Sequence, residues 1–140
     1  MLNRVITVML GCAMLAGANV ALAQPKLENA WIRLMPPNAG MTAAYAHITS
    51  DAKDRLMSVK TEIATKAEIH ETTMENGMMS MRPIESIAFS AGETVELKPQ
   101  GKHIMLIGLT RALQEGEEVP VLLEFAESGV QSHLFTVHKP

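Results

Sequence analysis

Short runs of alternating or wholly apolar residues, broken at near-regular intervals by turn signals, extend from Ala30 to His138, and no apolar period of 3.6 residues persists over three turns. This pattern predicts an all-β chain. The expected strands are Ala30 to Leu34, Ala43 to Thr49, Leu56 to Lys60, Ala67 to Thr73, Met79 to Ile84, Thr94 to Leu97, His103 to Leu109, Val119 to Ala126 and Val130 to His138, about nine in all. Between them lie Met35-Pro36-Pro37-Asn38-Ala39-Gly40, Asp51-Ala52-Lys53-Asp54 and Pro99-Gln100-Gly101, with a tight connection at Ser128-Gly129. A spacing of roughly 8–12 residues is that of a sandwich or barrel, since a parallel sheet would need crossover helices. Glu62 to Lys66 is the least patterned stretch.

The first residues do not belong to that pattern. Asn3 and Arg4 make a short polar, positive start, Val5 to Val20 is almost wholly apolar, and Ala21-Leu22-Ala23 is a small-x-small cleavage site before Gln24. Residues 1–23 are therefore expected to be a cleaved secretory signal, leaving one exported domain at 24–140. Gly11, Gly17 and Asn19 interrupt the apolar stretch and no basic flank follows it, so no membrane span is expected after cleavage. Cys12 raises a lipoprotein alternative, but Met9-Leu10-Gly11 is a poor match to the motif preceding a lipidated cysteine, and soluble export is preferred.

Cleavage removes the single cysteine, which excludes disulfides, thiolate metal sites and a cysteine nucleophile from the mature chain. The formal net charge of −3 argues against a nucleic-acid binder that needs a basic face. Apolar residues make up 47% and charged residues 19%, enough to bury a core without staples. Methionine is the unusual component: three of the 11 leave with the signal and eight stay, against five aromatic residues in all.

Histidine and methionine are thus the residues left to carry chemistry. In His103-Ile104-Met105, inside an apolar run, positions i and i+2 of a strand put one imidazole and one thioether on the same face. Asn76-Gly77 favours a type I′ hairpin. With these two as the loop, Glu75 faces Met78, Thr73 faces Ser80, the opposite charges of Glu71 and Arg82 face each other, and His70 faces Pro83. Met81 then becomes the diagonal neighbour of His70 on one face, an arrangement that a one-residue slip would destroy. Met74 is expected to face Met79 on the side opposite Met81.

His70, ten residues, Met81, twenty-one residues, then His103-x-Met105 resembles the His-x10-Met-x21-His-x-Met signature of the PCuAC family of bacterial periplasmic copper chaperones. Trp31-x-Arg33, Tyr45, Asp54-Arg55-Leu56, His70-Glu71-Thr72 and His103-Ile104-Met105-Leu106 extend the likeness over nearly all of 24–140. The resemblance implies a cupredoxin-like β-sandwich of mostly antiparallel strands. It also implies one Cu(I) ion per chain, held by His70, Met81, His103 and Met105 and handed on by ligand exchange. Implied recipients are the CuA subunit of cytochrome c oxidase or a Sco-type protein, with Cu(II) allowed at a secondary site. The chemistry agrees: two imidazoles and two thioethers form a soft, neutral set in which thioether selects Cu(I) over Zn, Ca or Mg, and thioethers, unlike thiols, form no disulfides after export.

No group is placed to act on a substrate, so the expectation is a monomeric carrier and not an enzyme. Glu62, Glu68, Glu71 and Glu75 form no recognisable acid/base constellation. A copper-buffering or resistance protein and a secreted β-sandwich interaction module without metal are the alternatives. Met74 and Met78 are candidates for an auxiliary Cu(I) contact, and Met41 lies in a loop of undecided role. His133 and His138, five apart, are expected on opposite faces of one strand. His47 reads as a strand residue, and Trp31 and Tyr45 as core aromatics.

Overall fold

A computed structural model describes residues 23–140, so the expected signal, apart from Ala23, lies outside the described residues. Ten strands follow in order: β1 (Lys26–Arg33), β2 (Met41–Thr49), β3 (Asp54–Lys60), β4 (Ala64–Glu75), β5 (Met78–Pro83), β6 (Ile87–Phe89), β7 (Thr94–Leu97), β8 (His103–Leu109), β9 (Glu118–Phe125) and β10 (Gly129–His138). The nine expected runs are all present, and β6, only three residues long, is the addition. No described helix is long and apolar enough to cross a membrane.

The strands are hydrogen-bonded in the order β5-β4-β8-β2-β1-β10-β9-β3-β6, with β7 also on β2. Every pairing is antiparallel except β1 with β10. β2 is shared along its length: Met41–Ala44 pairs β8 and Ala46–Thr49 pairs β7. The path curls over itself into the cupredoxin-like sandwich. Ile69, Ile104 and Leu106 of β4 and β8 meet Leu56, Leu123, Phe125 and Phe135 from β3, β9 and β10 in one core.

Strand alternation explains which side chains enter that core. In β9, Val119, Val121, Leu123 and Phe125 are buried while Glu118, Pro120, Leu122 and Glu124 face out. Each large apolar side chain so buried contributes about 1.5–3 kcal/mol. In β8, Ile104 and Leu106 point into the core, which turns His103 and Met105 to the other face. That second face carries the candidate site.

Trp31 corrects the expectation of a core aromatic. An unbroken alternation from Leu27, which packs against the core, would send Trp31 inward. The register between β1 and β2 instead gains one residue between Glu28 and Trp31, where Asn29 adopts a left-handed φ of 51°. The bulge inverts the pleat, so Ile32 enters the core and Trp31 goes to the outer face. Tyr45 is buried, but beside Trp31 on that face, between the core residues Ala44 and Ala46.

Asp54 ties two loops together. Its carboxylate accepts backbone N–H groups of Arg55 (2.8 Å), Glu127 (2.8 Å) and Ser128 (3.1 Å), and so holds the β9–β10 connection against the start of β3. Burial works to raise its pKa, but these hydrogen bonds outweigh burial and hold it below the usual carboxylate value.

Candidate metal centre

The β4–β5 hairpin adopts the register expected from its turn. Asn76 (φ 52°) and Gly77 (φ 78°) are both left-handed, as a type I′ loop requires, and Glu75 pairs Met78, Thr72 pairs Met81 and His70 pairs Pro83. Glu71 and Arg82 form an ion pair across the strands, with Arg82 Nε donating to Glu71 Oε1 at 2.8 Å. Met81 is therefore a diagonal neighbour of His70.

The other edge of β4 brings in β8. His70 pairs directly with His103, and Glu68 pairs with Met105, so His70, His103, Met105 and Met81 share one sheet face. The two imidazole rings lie 5.8 Å apart between centroids. His103 is buried at 3% exposure, Met105 is half-buried, and Met81, 56% exposed, stands at the rim. Met81, His103 and Met105 line one open cleft of about 410 Å³.

Hydrogen bonding fixes which nitrogen of each ring is free. His103 Nδ1 lies 3.0 Å from the carbonyl oxygen of Gly101, which can only accept, so Nδ1 carries the proton and Nε2 a lone pair. His70 Nε2 lies 2.7 Å from Glu68 Oε2, which in the neutral ring leaves the lone pair on Nδ1. Both free nitrogens, His70 Nδ1 and His103 Nε2, are buried and have no hydrogen-bond partner in the protein. Leaving a buried polar atom unpaired costs about 1–3 kcal/mol, so two such atoms in adjacent rings are unusual unless a ligand takes them.

The supporting groups are themselves held. The hydrogen bond from His70, then that from the Lys66 ammonium at 2.6 Å, keeps the Glu68 carboxyl below its ordinary pKa. Gly101 is placed by a turn in which its N–H bonds Lys98 O at 3.0 Å with Gln100 at φ 66°, and its carbonyl also accepts the Thr72 N–H at 3.3 Å. Sequence reasoning missed both supports, Glu68 and Gly101. The i, i+2 spacing of Glu68 to His70 and of Gly101 to His103 was the available signal.

Met79 corrects a second expectation. It pairs with Met74 as foreseen, but it stands two residues from Met81 in β5, and the pleat puts both on the same face, where Met79 joins Met81 in lining the cleft. Met41 lines it as well, whereas Met74 and Met78 are exposed at the hairpin tip. His138 stacks on Trp31 at 4.3 Å, and Trp31 lies 4.7 Å from Tyr45, whose ring is 6.4 Å from His103. His133 sits on the other face of β10, and burial pulls its pKa down. Among the described residues no three or more His, Cys, Asp or Glu side chains are grouped to hold a metal. The thioethers of Met81 and Met105 share the sheet face of the histidine pair.

Known proteins share this frame. Residues 26–137 match the family described as "Putative lipoprotein LpqE-like". A protein of Leifsonia xyli subsp. xyli, "Putative lipoprotein Lxx21020", is 31% identical over 105 residues, which are 73% of this chain and 62% of that protein. The chain thus spans under two thirds of that relative's length. The solution structure of CuI-DR1885 from Deinococcus radiodurans is 30% identical, with a TM-score of 0.66, covering 91% of this chain and 85% of that one. The apo PCuAC domain from PmoF1 superimposes with a TM-score of 0.69 at 22% identity, over 83% of this chain and 94% of that domain. With its β-domain matched nearly end to end, the chain belongs to the LpqE-like family and has the fold of the PCuAC domains.

Proposed function

We propose that this protein is an exported Cu(I) chaperone, a carrier and not an enzyme, that binds one Cu(I) ion through His70 Nδ1, His103 Nε2 and the sulfurs of Met105 and Met81. The observation that carries this reading is the pair of buried, partnerless ring nitrogens, each presented by a hydrogen bond on the far side of its ring. Such outer-shell bonds are how proteins orient metal-binding imidazoles. Soft neutral donors select Cu(I), and the Cu(I)-loaded and copper-bound relatives of the same fold support the choice of metal. Incidental His and Met residues would scatter over the surface, whereas these four share one face.

Delivery follows from the gradation of burial. A deep imidazole pair retains the ion while rim-exposed Met81 is the donor an acceptor protein can displace first, which suits ligand exchange better than storage. The proposed recipient is the CuA centre of cytochrome c oxidase, directly or through a Sco-type protein, and the proposed compartment is the periplasm after loss of residues 1–23. The lipoprotein wording of the family and of the Leifsonia protein favours a second reading for the N-terminus, in which Cys12 is lipidated and the domain is tethered. Labelling with a palmitate analogue separates the two, since only the tethered form incorporates it.

The decisive experiment is Cu(I) titration under reducing conditions against a chromogenic chelator, comparing wild type with His70→Ala/Met105→Leu. One tightly held equivalent that the double variant loses is expected. Binding that the variant leaves unchanged would sink the assignment. In cells, deletion is expected to lower oxidase activity and added copper to restore it, which a buffering protein would not do.

A further inference from the structure

Four buried side-chain nitrogen and oxygen atoms among the described residues lack a hydrogen-bond partner: His70 Nδ1, His103 Nε2, Thr72 Oγ1 and Arg33 Nε. The first two belong to the site proposed above, and Thr72 pairs with Met81 beside it. Arg33, half-buried at the end of β1, is the cation of the four, and among the described residues it forms no ion pair. A charged donor left unsatisfied costs more than a neutral one, so an anion is owed to it.

Register places Arg33 relative to the copper donors. β1 and β2 run antiparallel with Ile32 opposite Ala44, so Arg33 stands beside Ala43, and Ala43 pairs with Met105. With Ile32, Ala44 and Ile104 in the core, Arg33, Ala43 and Met105 form one row on the outer face, and only a methyl group stands between the two long side chains. Arg33, Met105 and His103 line the same cleft, which no Asp or Glu lines.

Resting on the Cu(I) reading, we propose that Arg33 and the bound ion together form a site for one carboxylate, supplied by an acidic side chain of the protein that exchanges copper or by a free carboxylate. The guanidinium fork takes a carboxylate bidentately. The four proposed copper donors are neutral, so the loaded cleft holds the ion's charge as well as that of Arg33, in a chain of formal net charge −3. A planar monoanion balances it at lower desolvation cost than a phosphate dianion. A second unit charge two strand spacings away, about 10 Å, is worth roughly tenfold in affinity at an effective dielectric constant of about 20. The site therefore grips a carboxylate while copper is present and relaxes once the ion has left.

The test follows the Arg33 Nε–Hε resonance of the ¹⁵N-labelled purified protein, empty and loaded with one equivalent of Cu(I) under reducing conditions, assigned by its absence from Arg33→Gln. Acetate and the capped peptide Gly-Glu-Gly are the probes, with chloride, phosphate and Gly-Gln-Gly as controls at matched ionic strength. Both carboxylates are expected to move the resonance saturably, at roughly tenfold lower concentration in the loaded protein, while chloride and Gly-Gln-Gly leave it still. A peptide that binds more tightly than acetate assigns the site to a partner's side chain, and acetate that binds as tightly as the peptide assigns it to free carboxylates; both support it. A resonance indifferent to both carboxylates, moved equally by chloride, or moved more by phosphate would overturn the proposal. So would equal carboxylate affinity in the empty and loaded protein. By reciprocity, saturating acetate is expected to tighten Cu(I) binding by the same factor in chelator competition, whereas Arg33→Gln holds Cu(I) and loses that response. Failure of the copper reading looks different: the chelator then finds no held ion, while the empty protein still binds carboxylate at Arg33. Should Arg33→Gln unfold, Arg33→Lys keeps the charge without the fork and is expected to hold Cu(I) with a weaker response.

Discussion

His70 illustrates how one residue depends on its neighbour. Its Nδ1 is available only while Nε2 is engaged by Glu68, so Glu68→Ala is expected to weaken Cu(I) binding by roughly 10–100-fold, the usual effect of removing an outer-shell partner. Glu68→Gln keeps an acceptor oxygen and is expected to lose less; chelator competition measures both, and equal losses would refute an orienting role. Met81→Leu and Met105→Leu conserve volume, so each is expected to cost under about 1.5 kcal/mol of stability while weakening Cu(I) binding. Denaturant unfolding beside metal titration checks this, and marked unfolding would mean that these side chains serve packing. At this scale the sequence was most informative about the histidines and methionines, whose spacing predicts the shared sheet face that β4, β5 and β8 give them. It was blind to Glu68 and Gly101, because a carboxylate and a carbonyl beside a histidine look like any surface pair until the burial of both rings is known.

Elements were legible where local chemistry sets the geometry. Asn76-Gly77 and the Glu71–Arg82 pair specify the β4–β5 register without tertiary information. The bulge at Asn29 was not legible, since an asparagine with positive φ inside a strand is selected by neighbouring strands, and Trp31 was misplaced in consequence. β6 escaped notice because three residues cannot show a period. A further bulge joins β8 to the loop before β2: the N–H groups of Gly108 and Leu109 both bond Gly40 O, at 2.9 and 3.0 Å, with Gly108 at φ 71°. A Cβ there would lie 2.1 Å from Thr65 Oγ1. Gly108→Ala is therefore expected to cost about 2–5 kcal/mol, the sum of left-handed strain and overpacking. Adding Thr65→Ala should recover the overpacking part alone, and chemical denaturation of the single and double variants measures the split.

For the whole molecule, the closure of β3 against the β9–β10 loop by Asp54 gives stability an acid limb. The folded pKa lies below the unfolded value of about 3.9, so the contribution is complete above that value and disappears as pH falls through the folded one. Asp54→Ala is expected to cost about 2–3 kcal/mol at neutral pH, by stranding three N–H groups, and to flatten the pH dependence of unfolding below 4. Cu(I) that binds only the folded chain should stabilise it by about 2.7 kcal/mol at a hundred times its dissociation constant, and a chelator should reverse this. The layered architecture was readable from turn spacing, whereas the curl that turns a row of strands into a cleft was not, because it is a property of the assembled sheet. One consequence lies in the ring row on the outer face. Trp31, the chain's single tryptophan, stacks on His138 and leans on Tyr45, which abuts His103. Its emission is therefore expected to change colour and intensity when Cu(I) is titrated in, a readout that needs no dye; an emission indifferent to the metal would place the ion elsewhere.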